Sequence, residues 1–330
     1  MKDLQQQALC PIRSYGNRLA WAAGQFLVVY DLETKSFEFD GSATPVEGGH
    51  SDAIRGIAFS QDGSVIASAG EDKRIVFWSQ TGGSWKPVGS YLHAKKIMTI
   101  EFESEFSVIF GDKFGDFFRL KNMTDSEILF GHLAAVSCSV MSQKRSLLVS
   151  ADRDEKIRIT QFPKVWNIAS FLFGHKRYIS CLAFFNQEET RVVSAGADGL
   201  VILWDISDPN APSQVWTATV PEGPVNSVSV RPDGEVLILR SDEPSVAITV
   251  RDGQVTGKID LGTQSQTLFN TQNGSLGFVD DNSHIGFVDG SSVHISRDVA
   301  GVPISLMKFV HHENLESGEF EDRKRQRINA

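Results

Sequence analysis

An all-β architecture of seven four-stranded antiparallel sheets closed into a ring, followed by a short polar C-terminal tail, is what this sequence predicts. Three observations predict it. A Gly-His pair recurs at Gly49-His50, Gly131-His132 and Gly174-His175, with His93 between the first two, so a histidine returns roughly every 40–45 residues. Between the histidines lie short runs of alternating apolar and polar residues broken by turn residues, the period of half-buried strands and not of helices. A Trp-Asp pair ends one period at Trp204-Asp205, and Trp78-Ser79 ends another in partial form.

Gly-His early and Trp-Asp late, at that period, is the mark of WD repeats, whose units are the blades of a β-propeller. The first blade is predicted from strands at 9–14, 18–22, 26–32 and 36–39. The second comprises 53–60, 65–69, 74–78 and 85–92, with Gln61-Asp62-Gly63 as a turn. The third and fourth follow His93 and His132. The fifth comprises 179–185, 192–195, 201–206 and 215–220. Gly-His is absent after residue 175, yet the alternation continues through a sixth blade (225–230, 235–240, 247–251, 255–261) and a degenerate seventh (266–270, 275–279, 284–288, 293–296). Terminal repeats are often atypical, and ring closure removes long exposed sheet edges. Length alone suggests two domains of ~150 residues, but a repeat array escapes that rule, so residues 1–313 are read as one propeller. Residues 314–330 are read as a disordered basic tail, with Arg323-Lys324-Arg325-Gln326-Arg327 placing four basic residues in five. That tail is an inert solvated segment, a nuclear import signal or an RNA-grazing arm.

Composition narrows the function classes. The net charge is −9 and the pI about 5.4, which disfavours a body built to grip phosphates and leaves room only for local basic patches. Cys10, Cys138 and Cys181 are odd in number and widely spaced; the latter two fall in alternating apolar runs and are expected as buried free thiols in a reducing compartment. Neither a signal peptide nor an apolar run of membrane-spanning length is present, so a soluble intracellular protein without a membrane partner is expected.

No nucleophile elbow, phosphate loop or paired-cysteine metal motif occurs, so the chain reads as a non-enzyme without cofactor or metal. The repeat histidines lie one blade apart and cannot converge on one ion. In WD-repeat proteins this histidine bonds a turn Asp, with a Ser hydroxyl and the Trp indole completing the chain. By that resemblance the second-blade network is His50, Ser68, Asp72 and Trp78, and the fifth-blade network is His175, Ser194, Asp198 and Trp204. Buried polar groups of this kind must satisfy one another or cost ~1–3 kcal/mol each. In the fourth blade His132 is expected to pair with Asp154, which sits where Asp72 and Asp198 sit, while Thr160 replaces the tryptophan.

The same slot of the fourth repeat carries an unusual load of charge, Asp152-Arg153-Asp154-Glu155-Lys156-Ile157-Arg158. Its bland reading is a solvated turn; its functional reading is a docking surface, because mixed-sign clusters set register and partner choice. Strand alternation puts Ile157 and Ile159 on one face, Lys156 and Arg158 on the other.

The wording of this segment, from Leu147 to Arg158, resembles the signature of one WD-repeat family, the non-catalytic subunit of the eukaryotic tRNA (guanine-N7-)-methyltransferase. Phe171-Leu172-Phe173-Gly174-His175 followed by Ile179-Ser180, and Gly111-Asp112-Lys113-Phe114-Gly115-Asp116 in the preceding blade, are similar to the same family. The resemblance covers residues 108–205. It implies a scaffold that forms a heterodimer with a separate S-adenosylmethionine-dependent catalytic subunit, for 7-methylguanosine formation in the variable loop of tRNA, in the nucleus or also the cytoplasm. The partner interface it implies is Asp152, Arg153, Glu155, Lys156 and Arg158, with Asp154 shared with the fold and Lys113 and Asp116 as additions. Arg158 is expected to be the most costly single loss, since Arg forks onto carboxylates. The partner would supply most tRNA contacts. The alternatives are a generic WD-repeat scaffold in chromatin or ubiquitin-ligase machinery, and a propeller enzyme using its central channel.

Overall fold

The computed structural model describes residues 11–42, 46–105, 107–220, 224–270, 276–280, 284–289 and 292–295, the last group and Asp289 by backbone alone. Cys10, the basic tail and its import motif lie outside the described residues. Every regular element within them is a strand, and the strands form seven four-stranded antiparallel sheets, each built from four consecutive segments. The seven-bladed propeller expected from the repeat is the observed fold.

Burial explains why alternation survives in some strands and fails in others. The second and third strands of each blade are covered on both faces by the neighbouring blades, so they read as apolar runs such as Val192, Val193 and Ala195 or Val201, Ile202 and Leu203. The outer strands face solvent on one side and alternate, as in Gln254–Asp260. An apolar cluster lies between each adjacent pair of blades. Ile109, Phe117, Val136 and Leu148 join the third to the fourth, and Ile159, Ile179, Val192 and Trp204 the fourth to the fifth. Ring closure uses the same means: Leu19, Trp21 and Val28 of the first blade pack on Phe269, Val279 and Ile285 of the seventh, with no strand exchanged among the described residues.

The first strands line a central channel of about 340 Å³. In blades two to seven each carries a bulge near its start, and the extra residues are Arg55, Met98, Ser137, Ser180, Asn226 and Gln266. All but Gln266 line the channel. Three residues beyond Met98 on the third blade's first strand, Glu101 accepts an ion pair at 3.1 Å from Arg13 of the first blade. Cys138 and Cys181 also face the channel and are free thiols, half-buried and not fully buried as expected. Burial pushes the Cys181 thiol up to about 12 and the Cys138 thiol higher still, so both stay protonated near neutrality.

Candidate partner interface on the fourth blade

The polar networks come first, because they hold the turns. In the second blade His50 Nδ1 lies 2.9 Å from Asp72 and its Nε2 2.8 Å from the Ser68 hydroxyl, which also accepts the Trp78 indole N–H at 2.7 Å. The fifth blade repeats this with His175, Asp198, Ser194 and Trp204 at 3.1, 2.8 and 2.8 Å. Burial raises the Asp72 carboxyl, but the His50 hydrogen bond and charge and the Ser51 and Arg74 amides hold it below the usual range.

The fourth blade departs from the expectation. His132 Nε2 lies 2.8 Å from the Ser150 hydroxyl, but its Nδ1 pairs at 3.1 Å with Asp152, not with Asp154. Asp152 is 1% exposed at the side chain, and its other oxygen accepts the amides of Asp154 and Lys156 at 2.9 and 3.1 Å. It stands at the end of the second strand, where the second and fifth blades have Gly70 and Gly196. The third blade uses the same device: Asp112 accepts the amides of Phe114 and Asp116 and faces His93 at 3.5 Å. A carboxylate two residues earlier reaches the histidine and caps the turn at once. Asp152 thus makes, two residues earlier, the bond to histidine that Asp72 makes from the turn of the second blade.

Arg158 also lies elsewhere than expected. It pairs with Ser150 across the sheet, the slot of Val76 and Ile202, both buried in their own blades. Only 5% of Arg158 is exposed. The guanidinium lies 4.0 Å from the Phe130 ring centroid of the third blade, and it donates to Thr160 Oγ1 at 3.0 Å and to the Val165 carbonyl at 3.4 Å. Thr160 supplies the acceptor, and its small side chain occupies the position filled by an indole in the second and fifth blades. Burial lowers the Arg158 pKa to about 10, still well above neutrality. Strand alternation correctly separates Arg158 from Ile157 and Ile159, but in a propeller both faces of a third strand are covered. Asp152 and Arg158 are thus internal, not at the surface expected of residues that meet a partner.

What remains at the surface is the turn itself. Arg153 and Glu155 are exposed, Asp154 and Lys156 partly so. Glu155 adopts φ +69°, the left-handed position held by Gly199 (φ +71°) in the fifth blade and Gly115 (φ +96°) in the third. In the third blade, Lys113 is half-buried with its ammonium 5.1 Å from the Phe114 ring, and Asp116 is buried. Three apolar side chains that sequence reasoning did not assign to the interface stand beside the turn. Leu133 follows the histidine that bonds Asp152, Phe171 pairs with Arg158 on the outer strand, and Phe173, 66% exposed, follows the residue paired with Ile157. The two phenylalanines stack at 6.1 Å. Trp166, 77% exposed, and Ile168 continue this edge beyond Phe171. The signal available in the sequence was Phe171-Leu172-Phe173, where strand alternation turns both phenylalanines away from the core.

Comparison with known proteins finds a family match across this region. The family described as the tRNA methyltransferase TRM82 WD40 domain matches residues 121–220, and a WD domain, G-beta repeat, matches residues 43–79. The chain is 27% identical over 205 residues to the tRNA (guanine-N(7)-)-methyltransferase non-catalytic subunit wdr4 of Dictyostelium discoideum, covering 54% of this chain and 44% of that protein. It is 28% identical over 186 residues to human WDR4, named for the same subunit, at the same coverage of both proteins. It is 33% identical over 109 residues to TRM82 of Meyerozyma guilliermondii, across 30% of this chain and 26% of that one. The chain thus spans less than half the length of these relatives. Among solved structures, the β-propeller domain of Myceliophteria thermophila Cps50 (Swd1) superposes with a TM-score of 0.71 at 12% identity, over 84% of this chain and 95% of that one, a likeness of fold alone. The matched family spans the fourth blade, and by that family and these named relatives the chain is similar to the WD-repeat non-catalytic subunit of the eukaryotic tRNA (guanine-N7-)-methyltransferase.

Proposed function

We propose that this chain is a non-catalytic scaffold that binds and stabilises an S-adenosylmethionine-dependent subunit for 7-methylguanosine formation in the variable loop of tRNA, in the nucleus. The observation that carries the reading is the mixed-charge turn Arg153–Lys156, fixed from below by Asp152 and flanked by exposed Leu133 and Phe173, within the span matched by the methyltransferase family. Exposed aromatics beside a rim of charges are the usual composition of an interface hot spot. The net charge of −9 fits a subunit that leaves most phosphate contacts to its partner.

Charge reversal at Glu155→Lys with Lys156→Glu, and separately Phe173→Ser, tests the reading without disturbing the buried network. The expected result is an unchanged thermal midpoint, loss of the co-purifying methyltransferase and reduced 7-methylguanosine in tRNA. Full complex recovery and normal modification in both variants would refute the site. Recovery of other assemblies with no methyltransferase subunit would favour a generic scaffold, as in chromatin or ubiquitin-ligase machinery.

A further inference from the structure

Just after the bulges, the first strands of blades two to seven place one tier of small residues around the channel: Gly56, Thr99, Cys138, Cys181, Ser227 and Thr267. Polar side chains in this tier turn toward the next blade. Ser227 Oγ lies 3.2 Å from Thr267 Oγ1 of the seventh blade, and Thr99 Oγ1 lies 2.7 Å from Ser139 Oγ of the fourth. The Cys181 thiol donates to the Asn226 carbonyl of the sixth blade at 3.1 Å. Cys138 holds the same slot in the fourth blade, whose first strand lies beside that of the fifth. Its sulfur accepts only a long contact from the hydroxyl of its chain neighbour Ser137, at 3.9 Å. The Cys138 thiol therefore faces Cys181, and the two are close enough for a charge on one to oppose a charge on the other.

Small residues are needed where first strands converge, and a buried thiol fills such space as a small apolar group does. A hydroxyl fills it as well, as Ser227 and Thr267 show, so volume alone does not select sulfur at two adjoining positions. The thiolate is the form of cysteine that binds metal, and sulfur ligands favour soft ions such as monovalent copper. Among the described residues no third His, Cys, Asp or Glu completes a metal-binding group with the pair, so the four-ligand set of a structural zinc site is not met. We propose that Cys138 and Cys181 form a two-coordinate site for monovalent copper inside the channel. Each thiol releases its proton to solvent as a sulfur–copper bond forms, and copper keeps its oxidation state. Cys181 gives up its weak bond to Asn226. The product carries one negative charge. Arg13, though paired with Glu101 at 3.1 Å, lies near enough to Cys138 to favour its anionic form and offsets part of that charge. The site does not depend on the methyltransferase reading, since the chain alone presents it.

The test uses the purified full chain carrying Cys10→Ser, so that Cys138 and Cys181 are its only thiols. The reduced protein is titrated with monovalent copper under argon against the chelator bathocuproine disulfonate. One copper per chain is expected, with the thermal midpoint raised by the ion and two sulfur neighbours in the X-ray absorption of the loaded protein. Adding Cys138→Ser or Cys181→Ser should each weaken binding by about a hundredfold or more, beyond the cost of changing a residue that only supports a ligand, and abolish the rise in midpoint. Serine suits the fold at both positions, because Ser227 and Thr267 occupy the same tier. Zn(II) should be lost from the same protein on dialysis. Failure of the chain to hold copper against the chelator would overturn the proposal. So would unchanged copper affinity in either added variant at a native midpoint, a copper shell of nitrogen or oxygen, or retention of one Zn(II) per chain. Because no partner subunit is present, failure here leaves the docking test above unaffected.

Discussion

Replacing Asp152 and Asp154 separately by alanine distinguishes the observed network from the one that the repeat frame alone suggests. In Asp152→Ala, His132 Nδ1 loses its partner inside the blade, and the amides of Asp154 and Lys156 lose theirs at the turn. The two amides lie near the surface and recover part of their hydrogen bonding from water. The histidine nitrogen is buried and does not. An unsatisfied buried group costs ~1–3 kcal/mol and a lost charge-assisted bond ~1.5–3 kcal/mol, so a net loss of about 3–4 kcal/mol is expected. At 2–4 °C per kcal/mol, that lowers the thermal midpoint by roughly 6–16 °C. Asp154→Ala removes a partly exposed carboxylate and should cost less than about 1 kcal/mol. Differential scanning calorimetry on both variants, with hydrogen exchange at the 153–156 amides, reads the contrast. Equal shifts, or a larger one for Asp154→Ala, would refute the argument.

Arg158→Glu should destabilise by several kcal/mol, because it puts an acid beside Phe130 without its bonds to Thr160 and Val165; a lower thermal midpoint before any partner is added checks this, and a native midpoint would contradict it. Ser194→Ala strips a shared partner from His175 and Trp204 and should cost about 2–4 kcal/mol; with Ser68→Ala in a distant blade the two losses should add within about 0.5 kcal/mol in urea titrations. Burial raises the Glu71 carboxyl, but Arg55 and Lys96 more than offset it and hold the pKa at about 2 against 4.5 in the open chain. Its contribution is thus complete above pH 4.5 and lost as pH falls toward 2, up to about 3 kcal/mol. Thermal midpoints from pH 6 to 3 should fall less steeply in Glu71→Gln than in the wild type.

The blades were legible because each carries its own turn residues and alternation; the predicted 179–185 strand is observed as Ile179–Phe184, and the predicted 225–230 strand as Val225–Val230. The second- and fifth-blade networks were legible because Ser, Asp and Trp keep one spacing and the histidine differs by a single residue. The fourth-blade network was not, since two carboxylates stand two residues apart in the chain and the frame alone favours Asp154, whereas Asp152 bonds His132. Arg158 misleads for a related reason: charge usually marks surface, but a Thr in place of Trp makes room for a guanidinium inside the blade. The exposed Phe173 was hidden by the opposite bias, since an aromatic beside Gly-His reads as core.

Moving the carboxylate into the strand end has a consequence for how such a loop can be exchanged. In the second and fifth blades the anchor is part of the turn, so rewriting the turn removes it. In the third and fourth blades Asp112 and Asp152 precede the turn, and the residues after them become a cartridge on a fixed mount. Gly115 constrains the third-blade cartridge, because a Cβ there would meet the Ala134 carbonyl at 2.4 Å; Glu155 shows that the fourth-blade mount takes a full side chain at the corresponding left-handed position. The fourth blade is thus the position on this ring at which a recognition sequence can be transplanted or evolved with the least disturbance to the propeller beneath it.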